Sequence, residues 1–113
     1  MTSYTGIVEQ GSKRASALGY PTINISLEEV GISGVYAARV QIGGQTHVAA
    51  AFADPARKTL EAHVLDFSDN LYGKEVVIDL CWKIRESEEF PDDDALRTAI
   101  AHDIAKVQEY FKN

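Results

Sequence analysis

Two adjacent glycines, Gly43 and Gly44, separate two runs of β-favouring residues, GVYAARVQI before them and QTHVAAAF after them. This arrangement is typical of a β-hairpin with a two-residue turn, because glycine adopts the positive φ angles that such tight turns require. We therefore predict an antiparallel hairpin over residues 34–52. Because this hairpin is long, it predicts a fold that contains an antiparallel β-sheet.

A second pair of β-favouring runs, 59–67 and 74–84, flanks a turn-rich segment and predicts another hairpin. In the later run, apolar side chains alternate with mostly polar ones, which is the pattern of a strand with one face in the core. The apolar positions are Val76, Ile78, Leu80, Trp82 and Ile84. With short runs near Ile7 and Tyr20, the chain offers about six strands, so that a compact antiparallel sheet or closed barrel is favoured over a βαβ fold.

The apolar period changes after Pro91. Three acidic residues, 92–94, offer an N-cap and a favourable charge at a helix start. Apolar residues then recur at helical spacing up to Phe111. We predict an amphipathic helix over residues 93–112 that covers the barrel.

Length and charge limit the possible functions. The chain has 113 residues, enough for one domain over residues 1–113, and a formal net charge of −6. That charge argues against non-specific nucleic-acid binding, which depends on Lys and Arg. Apolar residues make up 45% of the chain without any membrane-spanning run, and no secretory signal or disulfide pair accompanies the single Cys81. We expect a cytoplasmic protein without nucleic-acid or membrane partners, and no feature indicates a protein partner.

A glycine-bounded loop, 11–19, precedes the tetrapeptide Pro21-Thr22-Ile23-Asn24. Thr22 and Asn24 are two residues apart, so in an extended strand their side chains point to the same face, about 7 Å apart at Cα. Two neutral oxygens suit a magnesium ion that nucleotide phosphates complete. The alternative is a strand led by a proline with two half-buried polar residues. The loop lacks the GxxxxGK sequence of a Walker A motif.

Other polar residues give weaker signals. His47, His63 and His102 have no metal-binding spacing, and the acidic run 92–94 lacks the ligand spacing of a calcium loop. Glu61 begins the run EAHVLDF, where a carboxylate without a sequence neighbour to pair with either points into a cleft or is simply solvated.

Taken together, these segments resemble the riboflavin kinase (flavokinase) family. The resemblance runs collinearly from Gly6 to Phe111 and depends on the order and spacing of short motifs rather than on any one of them. The motifs are Gly6-x-Val8-x-x-Gly11, Leu18-Gly19-Tyr20-Pro21-Thr22-x-Asn24, Gly34-Val35-Tyr36, Leu60-Glu61-Ala62-His63, Asp66-Phe67, Leu71-Tyr72-Gly73, Ile84-Arg85, Phe90 and Asp103-Ile104. The family fold is a six-stranded antiparallel Greek-key barrel with a C-terminal α-helix, in agreement with the periodicity.

The resemblance implies transfer of the ATP γ-phosphoryl group to the 5′-hydroxyl of riboflavin, which gives FMN and ADP with Mg²⁺ as cofactor. It implies that Glu61 is the catalytic base and that Thr22 and Asn24 bind the magnesium. The implied nucleotide-binding residues are Gly11, Lys13, Arg14, Gly19, Pro21, Thr22, Asn24 and Tyr72, and the implied flavin-binding residues are Arg85 and Phe90.

The chain departs from the family pattern at three places. Ala15-Ser16 stands where the family usually has Gly, often followed by Arg, and Ile23 replaces Ala. If the loop position requires a positive φ angle, Ala15 is strained there by about 1–2 kcal/mol. Phe52 replaces a glycine beside the substrate site, where its ring could stack on a ligand, fill space or block the flavin. The alternative function is therefore an impaired flavin- or nucleotide-binding module on the same barrel, and a plain interaction domain is the third possibility.

Overall fold

The computed structural model describes residues 2–10 and 14–112. Its eight elements follow the chain as six strands and two helices. They are β1 (Thr2–Ile7), α1 (Arg14–Ala17), β2 (Ile23–Ser26), β3 (Gly34–Ile42), β4 (Gln45–Asp54), β5 (Thr59–Val64), β6 (Glu75–Arg85) and α2 (Asp93–Tyr110). The run near Tyr20 was expected to be a strand, but β2 begins only at Ile23, after the proline.

The strands form one antiparallel sheet in the spatial order β1-β6-β3-β4-β5-β2. The predicted hairpin is confirmed, because β3 pairs with β4 from Gly34↔Ala53 to Ile42↔Gln45 around the two glycines. Three consecutive paired strands, β3, β4 and β5, are followed by β6, which returns beside β3, and this is the Greek-key order. The sheet is a nearly closed barrel with one C-terminal helix, as predicted.

The predicted hairpin between 59–67 and 74–84 is wrong. β5 pairs with β4 and β2, whereas β6 pairs with β1 and β3. The connection over residues 65–74 is long enough to cross the end of the barrel, and the edge of β5 is occupied by the short strand β2. A local turn signal indicates a reversal of the chain but does not decide which strand the next one joins.

Strand β6 contributes to two separate apolar layers. Its first half places Val76, Ile78 and Leu80 in the barrel interior. The register with β3 then shifts between Ala37 and Ala38, whose partners are Trp82 and Leu80, so that Cys81 is an extra residue. Because a one-residue bulge reverses the faces, Trp82 and Ile84 do not continue the interior row.

The outer apolar layer lies beneath α2. Ala37, Leu65 and Val107 are its buried members, and Ile84 and Ile104 pack against them. The stacked rings of Trp82 and Tyr110 lie 5.4 Å apart at the edge of this layer. The predicted barrel-covering helix is therefore confirmed, although it ends at Tyr110, two residues before the predicted boundary.

Two polar interactions fix helix α2. The side chain of Asp92 accepts a hydrogen bond of 2.8 Å from the backbone N–H of Ala95, which confirms the expected N-cap. Arg85 at the end of β6 donates two hydrogen bonds, of 2.9 and 2.8 Å, to the buried carboxylate of Asp103. Within residues 2–10 and 14–112, no helix combines the length and apolar character needed to cross a membrane.

The barrel closes between its two edge strands at one isolated bridge, Glu9↔Asn24. The N–H of Glu9 donates to the carbonyl of Asn24 at 2.8 Å, and the hydroxyl of Ser26 donates to the Glu9 carboxylate at 2.9 Å. The loop predicted to bind phosphate begins just after this bridge. Barrel closure therefore brings Glu9, which precedes that loop in the sequence, beside the polar tetrapeptide.

Candidate active site

Glu61 and the two predicted metal ligands, Thr22 and Asn24, lie together on one face of the β2–β5 ladder. Asn24 pairs directly with Glu61 across the ladder. The hydroxyl of Thr22 donates to the Glu61 carboxylate at 3.1 Å. The neighbours of these residues along each strand, such as Ile25 and Ala62, point into the core, which leaves the polar side chains on the opposite face.

The environment of Glu61 raises the pKa of its carboxyl above the usual value for glutamate. Partial burial is the main cause, because it disfavours the charged form. The hydrogen bond from Thr22 and the positive charge of Arg57 act in the opposite direction, and Asp54 adds to the increase. A carboxylate with a raised pKa is better matched to accepting a proton near neutral pH.

Two cavities flank this polar cluster, and Thr22 lies in the wall of both. The first, which we term the loop-side cavity, has a volume of about 550 Å³ and includes Asn24 and Tyr72 in its lining. The second, the helix-side cavity, has a volume of about 490 Å³ and includes Glu61 and Phe90. Each volume falls in the range of cavities that hold small molecules. The geometry therefore provides two neighbouring binding spaces with a carboxylate at their junction.

The loop expected to bind phosphate contains one helical turn, α1, which the sequence did not predict. Ala15 lies within this turn, and the only described non-glycine residues with positive φ are Lys58 and Asp66. The strain expected at Ala15 is thus not present. Gly19 ends the turn with a φ of +96°, a conformation that favours glycine. Two predicted nucleotide-binding residues, Gly11 and Lys13, lie outside the described part of the chain.

Arg14, predicted to bind nucleotide, lines the helix-side cavity rather than the loop-side one. One of its terminal nitrogens lies 3.5 Å from the carboxylate of Asp93 at the start of α2. Four other predicted nucleotide-binding residues line the loop-side cavity, namely Pro21, Thr22, Asn24 and Tyr72. Arg14 therefore connects the loop to the helix across the second cavity.

The predicted flavin-binding residues, Arg85 and Phe90, both line the helix-side cavity. The guanidinium of Arg85 lies 5.5 Å from the centre of the Phe90 ring, and its hydrogen bonds go to Asp103 and to the Glu86 carbonyl. Its bonds to Asp103 raise the pKa of Arg85 further. Arg85 thus holds α2 and the Phe90 segment in place.

Phe52 lies directly beside Glu61, its partner in the β4–β5 ladder, and lines the helix-side cavity. Asp54 and Arg57, 3.7 Å apart at their closest charged atoms, line the same cavity. The Phe52 side chain is part of the cavity wall, and the cavity has a volume of about 490 Å³. Of the three possibilities for Phe52, stacking on a ligand therefore has the room that it requires.

The donor atoms near Thr22 suit a hard cation. Thr22, Asn24 and Glu61 all offer oxygen, the ligand type that magnesium prefers, and magnesium commonly takes only one or two protein ligands. Among the described residues, no three or more His, Cys, Asp and Glu side chains are grouped to hold a metal ion. A magnesium ion bound mainly through phosphate and water fits this set better than a fully protein-ligated metal.

His63 is a member of the site that the sequence analysis did not identify. Its ring nitrogen Nδ1 lies 2.7 Å from the carbonyl oxygen of Pro21, and the ring of Tyr20 packs edge-on against it at 5.5 Å. The available signal was the spacing of Glu61 and His63, since residues two apart on a strand share a face.

Comparison with known proteins identifies the family of this chain. The profile of the flavokinase family, described as riboflavin kinase, matches residues 1–111. The chain belongs to the riboflavin kinase family. Among relatives of this chain, a bifunctional riboflavin kinase/FMN adenylyltransferase from Haemophilus influenzae is 33% identical over 96% of this chain and 38% of its own length. An RNA-binding riboflavin kinase from Bacillus subtilis is 30% identical over 99% of this chain and 52% of its own.

Solved structures show the same barrel as this chain. A macrolide-efflux protein from Streptococcus pneumoniae superposes with a TM-score of 0.82 and 26% identity, over 94% of this chain and 38% of that one. Riboflavin kinase from Trypanosoma brucei superposes with a TM-score of 0.69 and 24% identity, over 98% and 80% of the two chains. This chain spans little more than a third of the first bifunctional relative.

Proposed function

We propose that this member of the riboflavin kinase family transfers the γ-phosphoryl group of ATP to the 5′-hydroxyl of riboflavin. The observation that carries the proposal is the hydrogen bond between Thr22 and Glu61 where the two cavities meet. Phosphoryl transfer depends mainly on holding donor and acceptor in line, with a carboxylate to take the hydroxyl proton. Two binding spaces that share this wall supply that arrangement.

In this proposal ATP occupies the loop-side cavity and riboflavin the helix-side cavity. Asn24 lies on the ATP side, and Glu61 lies on the riboflavin side, where it accepts the proton of the attacking hydroxyl. Phe90 and Phe52 offer aromatic surfaces to the isoalloxazine ring in the second cavity. Burial supports the role of Glu61, because it raises the pKa of the carboxyl.

Thr22 and Asn24 would hold the magnesium ion of MgATP through their side-chain oxygens. When bound there, the ion supplies positive charge that stabilises the negative charge on the transferred phosphoryl oxygens. Asn24 is only 6% exposed, so close packing restricts the conformations of its side chain before any ligand binds.

The test is a coupled ADP-release assay with ATP, riboflavin and Mg²⁺, accompanied by chromatographic detection of FMN. We expect FMN formation by the unaltered protein and its loss in Glu61→Gln, which keeps the shape of the side chain but cannot accept the proton. Glu75→Gln, an exposed position on β6 away from both cavities, is the matched control. Undiminished turnover by Glu61→Gln would refute the proposed base.

The alternative function, a flavin- or nucleotide-binding module without turnover, is supported by the position of Phe52 beside Glu61. It is distinguished by titrating riboflavin, FMN and MgADP and following the quenching of fluorescence. Binding of all three without FMN formation from ATP would favour the module over the kinase.

We also propose that this domain acts as a cytoplasmic enzyme on small substrates and does not bind RNA, although one relative is an RNA-binding riboflavin kinase. The net charge of −6 supports this, since RNA backbones repel a negative surface. A gel-shift titration at low salt tests it, and binding that weakens with salt would contradict it.

A further inference from the structure

We propose that His63 is a positioning residue, which fixes Pro21 and Thr22 by donating a hydrogen bond from Nδ1 to the Pro21 carbonyl. This inference rests on the proposed function, because it assigns the residue that holds a magnesium ligand in place. His63 lies on β5, two residues after Glu61, and lines the same helix-side cavity.

The β2–β5 ladder ends at Ile23, next to Thr22, whose position must be fixed if it is to hold a metal ion. Its last described pair is Ile23↔Ala62, and one further step of the same register would place Thr22 opposite His63. Pro21 has no N–H to donate, so the backbone ladder cannot extend through it. Thr22 therefore lies beyond the paired strand, although its hydroxyl must reach Glu61 at one defined position.

Beyond the end of the backbone pairing, the His63 side chain makes the contact between β5 and Pro21. A carbonyl oxygen only accepts hydrogen bonds, so the 2.7 Å contact requires the hydrogen on Nδ1 of His63. The edge-on Tyr20 ring packs against the imidazole and restricts its rotation. Residues 20 and 21 are thus both held to β5 by His63, and the next residue, Thr22, is held by Glu61.

Two contacts from neighbouring positions of one strand therefore fix one short segment. Loss of the His63 contact removes one of the two hydrogen bonds by which side chains of β5 hold Pro21 and Thr22. The other is made to Glu61, the proposed base. The expected consequence is weaker binding of magnesium nucleotide and slower turnover.

Three substitutions separate this role from general packing. His63→Asn places an amide N–H at the position of Nδ1, whereas His63→Gln places its amide near the position of Nε2, and His63→Ala removes both. We expect Ala and Gln to raise the Kd for MgADP by about three- to tenfold, as the loss of one hydrogen bond does. The Asn variant should stay within about threefold of the unaltered protein.

Kinetic and spectroscopic measurements complete the test. In the kinase assay, His63→Ala and His63→Gln should lower kcat and raise KM for MgATP, whereas His63→Asn should keep both near the values of the unaltered protein. The ¹⁵N spectrum of the histidine-labelled protein should show His63 protonated at Nδ1 in the neutral form. That spectrum and the MgADP titration do not depend on turnover, so they test His63 even if the chain forms no FMN.

The outcomes are decisive in either direction. An Nδ1-protonated His63 together with rescue by Asn but not by Gln supports the assignment. An Nε2-protonated His63, or equal MgADP affinities in all three variants, would overturn it. Thermal melting of each variant confirms that the affinities compare folded proteins.

Discussion

At the scale of single residues, Thr22 is the centre of the site. It follows a proline that ends the ladder, donates to Glu61 and lies in the walls of both cavities. Its hydroxyl donates to the Glu61 carboxylate, and in the proposed function it also offers a lone pair to the magnesium ion. Small changes at this position should affect both metal use and proton transfer.

Removal of the Thr22 hydroxyl by Thr22→Val should shift the acid limb of the pH–rate profile to higher pH. The hydrogen bond from Thr22 lowers the pKa of Glu61, so its loss leaves the raising effect of burial less opposed. kcat against pH measures the shift, and Thr22→Ser, which keeps the hydroxyl, is the control. An unchanged acid limb in Thr22→Val would contradict the proposed link between the two residues.

Glu61→Gln should lose FMN formation by about 10²-fold or more and should not lose stability. The folded-state pKa of Glu61 lies above its unfolded value, so protonation favours folding. This contribution is fully present below the unfolded pKa and is lost as pH rises through the folded pKa. Glutamine mimics the protonated form at every pH.

Urea unfolding at several pH values measures this effect. The free energy of unfolding of Glu61→Gln should equal or exceed that of the unaltered protein at neutral pH. The difference should shrink as pH falls below the unfolded pKa of glutamate. A Glu61→Gln protein that is less stable at neutral pH would indicate that the ionised carboxylate stabilises the fold.

How far the site follows from the sequence differs from residue to residue. The family motifs predicted that Thr22, Asn24 and Glu61 belong to one site. In the structure, Asn24 is the ladder partner of Glu61. His63 was not identified, because its partner is a backbone carbonyl and every residue has one. Arg14 was assigned to the nucleotide, yet it lines the helix-side cavity, since a loop sequence does not state toward which side a long side chain points.

At the scale of elements, strand β6 organises the molecule. It pairs with both β1 and β3, places Val76, Ile78 and Leu80 in the barrel interior and ends at Arg85, which holds α2. The β3–β4 hairpin followed from local turn chemistry, whereas the partners of β6 did not. Its pairing depends on a connection that crosses the barrel, and its face reversal depends on one bulged residue.

Arg85→Ala should destabilise the protein by about 3 kcal/mol, because it leaves the buried Asp103 carboxylate without its partner. Adding Asp103→Leu to Arg85→Ala should recover part of this loss, since the unpaired charge is then removed. Urea unfolding of both single variants and of the double variant measures the coupling. Strictly additive losses would show that the pair does not stabilise α2.

Gly34→Ala should cost about 3 kcal/mol or more of stability, whereas Gly44→Ala should cost about 1 kcal/mol. Both glycines have positive φ angles, +104° and +87°, so both substitutions carry backbone strain. A Cβ at Gly34 would also lie 2.6 Å from the carbonyl oxygen of Arg85, while one at Gly44 would meet no atom within 4 Å. Thermal unfolding compares the two, and equal losses would contradict the close approach at β3.

At the scale of the whole molecule, the barrel is narrow and closes at one point. Alanines fill much of its interior, and five of them are at most 1% exposed: Ala38, Ala49, Ala51, Ala53 and Ala62. The isolated bridge between Glu9 and Asn24 closes the sheet next to the proposed nucleotide site. A ligand that contacts Asn24 and the loop therefore also supports barrel closure.

Saturation with MgADP should raise the melting temperature. At 100 times the dissociation constant, a ligand that binds only the folded state adds about 2.7 kcal/mol, which is about 10 °C for a domain of this size. Differential scanning fluorimetry with MgADP, and with ADP plus EDTA, measures the effect. Asn24→Ala should lose most of the increase, and an equal increase in EDTA would argue against the magnesium assignment.

The extra residue in β6 has an evolutionary consequence. Because the extra residue Cys81 reverses the faces of the strand, the apolar side chains before it pack in the barrel interior. Ile84, after it, packs in the outer layer beneath α2. The two halves of one strand can therefore accumulate substitutions independently. A lineage could reshape the cover over the helix-side cavity, and with it the choice of acceptor, while the barrel that holds the proposed phosphoryl-transfer groups stays unchanged.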